Sequence, residues 1–204
     1  MKISFDNTEV AFAYKSDKEL KKARFLFSTM AFPWFVKLGT RLTPFIMKTG
    51  LPVHGIIRNT IFKQFVGGES LQETAPVADL LSKFGVQIIL DYGVEGKQTE
   101  EGFDETTEEF LKVVEYASSR SNIPFISIKV SGMARQKLLE TLNGAPRLRS
   151  GIHDHEEEES EWDMVRERMY AICELAKEKG VGVLVDAEES WMQDPIDRLT
   201  MEMM

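Results

Sequence analysis

Three short apolar runs constrain the fold of the second half of this 204-residue chain. They are VQIILDY (86–92), FISIKVS (125–131) and VGVLVDA (181–187), and a segment with a helical apolar stripe precedes each run. Because the runs are continuously apolar rather than alternating, they predict strands that are covered on both faces. Helices between such strands indicate right-handed βαβ units, so we expect an α/β fold with a parallel sheet.

The helical segments carry recognisable end signals. Ser70 and Glu73 have the spacing of a capping box, and Gly85 is suited to the position just after a helix. Thr106 and Glu109 repeat the capping-box spacing and predict a second helix start. The predicted helices span residues 70–85, 104–120, 162–180 and 195–204.

The region before this alternating pattern is predicted to be helical and irregular. Three prolines interrupt it, and helices usually stop or bend near a proline. We therefore divide the chain into an N-terminal helical region, 1–84, and a segment of about three βα units, 85–204. The interrupting residues are Pro33, Pro44 and Pro52.

The charge distribution argues against one class of partner and leaves another open. The net charge of −8 argues against nucleic acid. Residues 1–75, however, hold eleven Lys and Arg residues against six Asp and Glu residues. We interpret this basic and aromatic region as a solvated helix surface, and peripheral contact with an anionic membrane is the alternative.

The sequence also indicates a reducing compartment. Cys173 is the one cysteine, so an internal disulfide is excluded, and its place on the apolar side of a predicted helix indicates a packing thiol. The first residues lack the apolar core of a secretory signal, and the apolar run 25–36 is shorter than the ~20 residues of a membrane span. We therefore expect a cytoplasmic protein, with peripheral attachment to the inner membrane left open.

Charged residues follow each predicted strand. Asp91 ends the first run, Lys129 lies near the end of the second, and Asp186 ends the third. Because the carboxyl ends of parallel strands meet at one edge of a sheet, we expect a binding or catalytic site there. A lysine within a buried strand is costly unless it is paired or functional, and Asp186 is a candidate partner. The loops add Glu95, Glu188 and Glu189.

Carboxylates at this edge would also suit a divalent metal. Asp91, Asp186 and Glu188 around Mg²⁺ or Mn²⁺ would indicate a metal-dependent barrel enzyme that acts on a sugar or a phosphate. The tract His153-Asp154-His155 resembles a metal-binding sequence. It lies in the polar, acidic segment 144–160, which we interpret as a solvated loop.

The strand ends together resemble the proline dehydrogenase family. The segments that carry the resemblance are ILDYGVEG (89–96), FISIKVSGM (125–133) and VLVDAEESWMQDPIDRLTMEMM (183–204), with VGGES (66–70) at a matching distance before them. The resemblance implies a distorted (β/α)8 TIM barrel that binds FAD and oxidises L-proline to Δ1-pyrroline-5-carboxylate in proline catabolism. It also implies a membrane quinone as electron acceptor, and hydroxyproline remains an alternative substrate.

The resemblance assigns roles to five residues. Lys129 is similar to the family's strand-end lysine, which lies against the flavin and the proline carboxylate. Asp186 resembles the aspartate that pairs with a substrate-binding arginine. Asp91, Glu95 and Glu188 are implied to support the substrate pocket, and no metal is implied.

The resemblance is to the N-terminal part of such an enzyme, so we expect a truncated chain. A complete barrel has eight strands and about 250 residues, whereas three strands are predicted here. The family's late helix with a Tyr and a paired Arg-Arg, which clamps the proline carboxylate, has no counterpart, and no Arg-Arg dipeptide occurs. We therefore expect the isolated chain to bind FAD poorly and not to oxidise proline. The alternative is a non-catalytic fragment that assembles with itself or with a C-terminal half through its open barrel edge.

Overall fold

A computed structural model of the chain describes residues 5–48, 54–94, 97–144 and 156–204. The backbone divides into two compact units, Met1–Val86 and Gln87–Met204, and each is described by itself. Within the described ranges, no helix is both long enough and apolar enough to cross a membrane.

The first unit is helical, and two of its helices begin at capping residues. Ser16 and Glu19 form a reciprocal capping box, and the Ser70 hydroxyl accepts the N–H of Glu73. Such caps satisfy N–H groups that the first helical turn leaves unpaired. The helices are α1 (Thr8–Ala11), α2 (Asp17–Met30), α3 (Pro33–Lys48), α4 (His54–Ile57), α5 (Lys63–Phe65) and α6 (Leu71–Ser82), with a π-helical turn at Arg58–Phe62 between α4 and α5.

The prolines of this unit only partly follow the prediction. α2 ends before Pro33, which starts α3, a position where the missing N–H of proline costs nothing. Pro44 lies inside α3 and Pro76 lies inside α6, so neither ends its helix. A stop at Pro44 therefore does not occur, and Pro52 lies outside the described residues.

The second unit contains a three-stranded parallel sheet in the order β1-β2-β3. The register places Asp91 beside Ser127 and Ile128 beside Val185. The predicted α/β class and parallel sheet are thus confirmed, and the described residues form three strands. The elements are β1 (Ile89–Asp91), α7 (Glu100–Ser118), β2 (Phe125–Ile128), a 3₁₀ turn (Val130–Gly132), α8 (Gln136–Leu142), α9 (Glu156–Lys179), β3 (Gly182–Val185) and α10 (Gln193–Met203).

The start of α7 corrects one prediction. The helix begins at Glu100, and the Thr99 side chain caps it by accepting the N–H of Gly102 at 3.2 Å. Thr106 lies buried inside the helix, where its hydroxyl donates to the carbonyl of Gly102 at 2.9 Å. The capping-box spacing at Thr106 therefore occurs within a helix whose buried side begins earlier, at Gly102 and Phe103.

Two further differences lie between β2 and β3. One is α8, a helix without an expected counterpart, whose apolar residues Leu138, Leu139 and Leu142 are buried. α9 begins at Glu156, so the end of the segment 144–160 is helical rather than a loop. The remainder, 145–155, lies outside the described residues and includes the tract His153-Asp154-His155.

Helices cover one face of the sheet in the described part of the chain. α7 contacts β2, and α9 contacts β3. The strand side chains buried on this covered face include Leu90, Ile126 and Ile128. On the other face, called the open face below, the exposed fractions are 50% for Ile89, 42% for Phe125 and 40% for Leu184. The prediction that both faces are covered is therefore wrong for the described residues, because one residue or more on this face of each strand is exposed.

One close approach shapes the open face. Phe125 pairs with Gly182 in the register between β2 and β3. A Cβ atom at Gly182 would lie 2.3 Å from Cδ1 of Phe125, so the aromatic ring lies directly over the glycine. The absence of a side chain at position 182 is what allows the ring to lie against the neighbouring strand.

The cysteine agrees with its predicted packing role. Cys173 lies half-buried on α9. Burial raises the pKa of its thiol, which keeps the sulfur protonated near neutral pH. Since the thiolate is the nucleophilic form, this environment favours an inert thiol.

Candidate active site at the carboxyl edge of the sheet

The carboxyl edge of the sheet brings charged residues of all three strands to the open face. Side chains alternate along a strand, so Ser127 and Lys129 point to the same face. Asp91 joins them because the register pairs it with Ser127. Asp186 follows β3 directly, and its N–H donates to the carbonyl of Ile128 at 3.0 Å, which extends the pairing past the strand.

Lys129 lies between two carboxylates. Its Nζ donates to Oδ2 of Asp186 at 2.7 Å and lies 3.4 Å from both carboxylate oxygens of Asp91. The lysine side chain is 26% exposed, less than either carboxylate. The structure thus brings together the three charged strand-end residues that the sequence singled out, and pairing reduces the cost of partly burying the lysine.

Hydrogen bonding sets the protonation states of Lys129 and Asp186. The bond from Lys129 lowers the pKa of Asp186, and the Ser127 hydroxyl, which donates to Oδ1 at 2.5 Å, lowers it further. The same bond to Asp186 raises the pKa of Lys129 despite the opposing effect of partial burial. At neutral pH the lysine is therefore an ammonium and Asp186 a carboxylate. Neither group titrates near pH 7, so the pair supplies fixed charges rather than a proton donor or acceptor.

Glu188 connects the segments that follow β2 and β3. Its Oε1 accepts the N–H of Ser131 at 3.0 Å, within the 3₁₀ turn that follows Lys129. Its own N–H donates to Oε1 of Gln193 at 2.6 Å, at the start of α10. The half-buried Glu188 therefore links these segments at the edge of the site and supports their arrangement.

An open groove of about 1060 Å³ runs beside these residues. Some of its cations are held by carboxylates: Arg135 bonds to Glu161 at 3.0 and 2.6 Å, and Lys97 to Glu105 at 2.7 Å. A wall with charges of both signs suits a polar ligand that carries an anionic group. The charged lining residues are Lys97, Lys129, Arg135, Lys137, Glu140, Glu188 and Glu189.

The remaining acidic candidates contribute less. Glu95 lies outside the described residues, so its role stays a prediction. Glu189 is exposed on the groove wall. In the ranges that the structure covers, no group of three or more His, Cys, Asp and Glu residues is placed to hold a metal ion. The Lys129 ammonium lies between Asp91 and Asp186, where the metal-dependent alternative would need a divalent cation.

Sequence reasoning missed two polar partners of the site. Ser127 donates to Asp186, and the backbone of Ser131 donates to Glu188. Ser127 could have been predicted from the sequence, because it lies two residues before Lys129 and therefore on the same face of the strand. The Ser131 contact depends on a tight turn that has no signal in residue spacing.

Sequence comparison places these residues inside a described family. The family model for "Proline dehydrogenase" matches residues 75–204, which include all three strands. A carbapenem antibiotics biosynthesis protein, CarD, from Pectobacterium carotovorum subsp. carotovorum is 30% identical over 82% of this chain and 43% of its own length. Proline dehydrogenase 1, mitochondrial, from Dictyostelium discoideum is 28% identical over 76% of this chain and 33% of its own length.

Two further comparisons extend over nearly the whole chain. The hydroxyproline dehydrogenase of Xenopus laevis is 26% identical over 99% of this chain and 49% of its own length. The crystal structure of proline utilization A (PutA) from Bdellovibrio bacteriovorus, inactivated by N-propargylglycine, aligns with 96% of this chain and 21% of that protein. The TM-score is 0.57 at 16% identity, a likeness of fold. The chain thus spans less than half the length of these relatives.

Proposed function

Since this chain belongs to the proline dehydrogenase family, we propose that it supplies part of the site of a flavoenzyme that oxidises L-proline to Δ1-pyrroline-5-carboxylate. The observation that carries the proposal is the Lys129 ammonium between Asp91 and Asp186, on the open face at the carboxyl edge of the sheet. These residues lie within the segment that matches the family. Completion of a (β/α)8 barrel around this face is part of the proposal.

The groove has the donor chemistry that FAD would require. The edge offers a fixed ammonium, and reduced flavin carries negative charge that such a cation stabilises. A bound FAD would supply the acceptor for the hydride from the carbon next to the proline nitrogen. Lys129 would hold the flavin, and its raised pKa keeps the positive charge in place throughout the neutral pH range. Its proposed role is electrostatic, because a lysine that stays protonated does not act as a base.

The carboxylates orient groups rather than transfer protons. Asp186 binds Lys129 through Oδ2 and Ser127 through Oδ1, which fixes the plane of its carboxylate. The side chain keeps 37% of its surface exposed, so it can also accept a guanidinium that binds the proline carboxylate. Asp91 places a second negative charge against Lys129, and Glu188 holds the turn behind it. Glu95 is proposed to support the same pocket.

The test of this function is a chimaeric enzyme. Residues 75–204 replace the matching segment of the Dictyostelium discoideum relative, and dye reduction is measured with L-proline and with hydroxyproline. We expect a flavin-containing protein that reduces the dye when proline is added. Lys129→Met is expected to lower kcat/KM roughly 100-fold, the size of effect found when one preorganised charge-stabilising group is removed.

The matched control is Lys112→Met. Lys112 also forms an ion pair, with Glu109 at 2.5 Å, but it lies on the exposed side of α7 away from the groove. We expect it to leave kcat/KM unchanged. A folded, flavin-containing chimaera without proline-dependent dye reduction would contradict the proposal, and so would a Lys129→Met variant that is as active as the parent.

The 204-residue chain by itself is expected to bind FAD weakly and to show no turnover. The groove is open, and the chain spans less than half the length of the relatives. The measurements are flavin fluorescence quenching and proline-dependent dye reduction with the purified chain. Turnover by a homogeneous sample would overturn this expectation.

A second candidate function is assembly. The observation that favours it is the open face, where Ile89, Phe125 and Leu184 expose apolar surface. Among the described residues, each outer strand of the sheet pairs with a neighbouring strand on one side. Such surfaces associate with a further strand or a second copy. Sedimentation equilibrium should show a mass that increases with concentration. A strictly monomeric chain with the activity of an enzyme would exclude this candidate.

Contact with a membrane, and a quinone of that membrane as electron acceptor, complete the proposal. The first unit exposes Phe25, Phe32 and Trp34 in a region where Lys and Arg outnumber Asp and Glu. Exposed aromatic and basic side chains of this kind bind the interface of anionic bilayers. Co-sedimentation with vesicles should be stronger for anionic than for neutral lipid. Equal recovery of the protein with both lipids, or no recovery with either, would contradict the proposed membrane contact.

A further inference from the structure

Arg168 is the one charged residue that is buried among the described residues, with an exposed fraction of 7%. It lies on α9, and its guanidinium also stacks over the ring of Phe103 at 5.5 Å. Burying an arginine costs free energy unless its N–H donors are hydrogen-bonded. Its hydrogen-bond partners therefore indicate its role. Its hydrogen-bond partners among the described residues are Glu100, Asp104 and Met133, which were not assigned to the candidate site.

The guanidinium joins three parts of the second unit. Nε donates to Oδ1 of Asp104 at 2.8 Å, and Nη2 donates to Oε2 of Glu100 at 2.6 Å, both on α7. Nη1 donates to the backbone carbonyl of Met133 at 3.2 Å. The two carboxylates are partly exposed and remain hydrated without the arginine. Met133 is fully buried, so loss of the arginine would leave its carbonyl without that donor and without ready access to water.

Met133 ends the turn that follows Lys129. Its N–H donates to the carbonyl of Val130 at 2.9 Å, and the N–H of Gly132 donates to the carbonyl of Lys129 at 3.1 Å. The same turn presents the N–H of Ser131 to Glu188. Hydrogen bonds therefore lead from the Arg168 guanidinium through the turn to the backbone of Lys129.

We infer that Arg168 is a positioning residue, which holds the turn Val130–Met133 so that Lys129 and Ser131 stay aligned with Asp186 and Glu188. The use of this turn in catalysis rests on the proposed function, but the positioning itself needs neither flavin nor proline. The planar guanidinium is suited to the task because it reaches both carboxylates and the carbonyl at once, which a lysine ammonium cannot do with the same geometry.

The test compares variants of the 204-residue chain by two local measurements. Amide hydrogen exchange reports the turn at Ser131 and Met133. Acetylation by an amine-reactive ester, followed by mass spectrometry, reports Lys129 relative to Lys112, because a lysine bound to a carboxylate reacts slowly. For Arg168→Met we expect both readouts to rise about fivefold to tenfold, the effect of losing one hydrogen bond, while the amides of β2 change less.

Three further variants isolate the carbonyl contact. Arg166→Met is the matched control, because Arg166 lies on the same helix and pairs with Asp163 and Glu202 away from the turn; both readouts should stay unchanged. Asp104→Ala removes one ion pair of Arg168 but keeps its bond to Met133, so the turn should also stay protected. Arg168→Lys keeps the charge and should loosen the turn as Arg168→Met does.

The results separate positioning from general stabilisation. Uniformly faster exchange in Arg168→Met, with an unchanged Lys129 to Lys112 ratio, would overturn the inference. If Arg168→Met does not fold, a folded Arg168→Lys with parental exchange at Ser131 and Met133 would overturn it equally. An inactive chimaera would count against the proposed function alone, since neither local readout depends on proline oxidation.

Discussion

The two faces of the three-stranded sheet use the same strands in different ways. On the covered face, Leu90, Ile126 and Ile128 are buried in the second unit. On the open face, Ile89 and Leu184 are exposed, and the strands end there in paired charges. The covered face therefore stabilises the unit, while the open face carries the paired charges of the candidate site.

This difference explains why charged groups are tolerated at the strand ends. A lysine and two aspartates on the covered face would have to displace buried apolar contacts and would be costly. On the open face, Lys129, Asp91 and Asp186 keep part of their surface in water, and the lysine pairs with both carboxylates. Side-chain alternation makes the separation possible, since adjacent residues of one strand meet different environments.

The sharpest way to test the comparison is to remove buried volume from the covered face. Ile126 is fully buried in the middle strand. Ile126→Ala should lower the free energy of unfolding by about 2–5 kcal/mol, the usual cost of such a cavity. The measurement is urea unfolding followed by circular dichroism, with Ile89→Ala on the open face as the control. Equal losses of unfolding free energy in the two variants would show that the two faces do not differ in their contribution to stability.

A smaller effect is expected from overpacking beside the site. A Cβ atom at Gly132 would lie 2.5 Å from Cγ1 of Val94, whereas a Cβ atom at Gly93 would meet nothing within 4 Å. Gly132→Ala should therefore destabilise the chain by about 1–3 kcal/mol, as overpacked cores do. Gly93→Ala is the matched control. Thermal unfolding of the two variants would show whether the turn is as tightly packed as the distances indicate.

The effect of pH on the free energy of unfolding should be smaller still, and it should appear only at acidic and at alkaline pH. Folding lowers the pKa of Asp186, so its contribution is present above pH about 4 and is lost as the pH falls through the folded value. Folding raises the pKa of Lys129, so its contribution is full below pH about 10 and is lost as the pH rises through the folded value. Both groups are partly exposed, so the total should stay below about 1 kcal/mol.

The measurement for this prediction is the difference in unfolding free energy between the parent and Asp186→Asn. It should stay constant between pH about 5 and 9 and shrink at both ends. A difference that changes between pH 6 and 8 would show that another group, with a pKa near 7, is coupled to the pair.

The smallest effect on stability is expected on the open face. Leu184→Ser removes an apolar side chain that is 40% exposed, so the unfolding free energy should change by about 0.5 kcal/mol or less. Self-association should weaken, because the apolar surface of the open face becomes smaller. Sedimentation velocity at several concentrations measures this. An unchanged association would show that the open face is not the contact.

The sequence allowed the strands and the site edge to be predicted because both depend on simple periodicity. Apolar runs indicated parallel strands, and the alternation of side chains brings Lys129, Asp91 and Asp186 to one face. The roles of these residues, and those of Glu95 and Glu188, stay proposals. The division of the chain at residue 84 also stays a proposal.

Other features depend on tertiary contacts that residue spacing does not contain. Thr106 has the spacing of a capping residue, but the helix begins at Glu100, with Thr99 as its cap, and Phe103 also packs in the interior. Arg168 has the sequence pattern of any helix arginine, and only packing shows that it is buried. The open face was predicted to be covered because an apolar run alone does not show which faces meet a helix.

The ring of Phe125 over Gly182 has a consequence for the shape of the open face. With no side chain at position 182, the aromatic ring lies over the backbone of the neighbouring strand. Any larger residue at 182 would lift the ring, since its Cβ atom would overlap the ring carbons. The position of this ring on the open face therefore depends on the absence of a single methyl group at Gly182, at the opposite end of β3 from the charged edge.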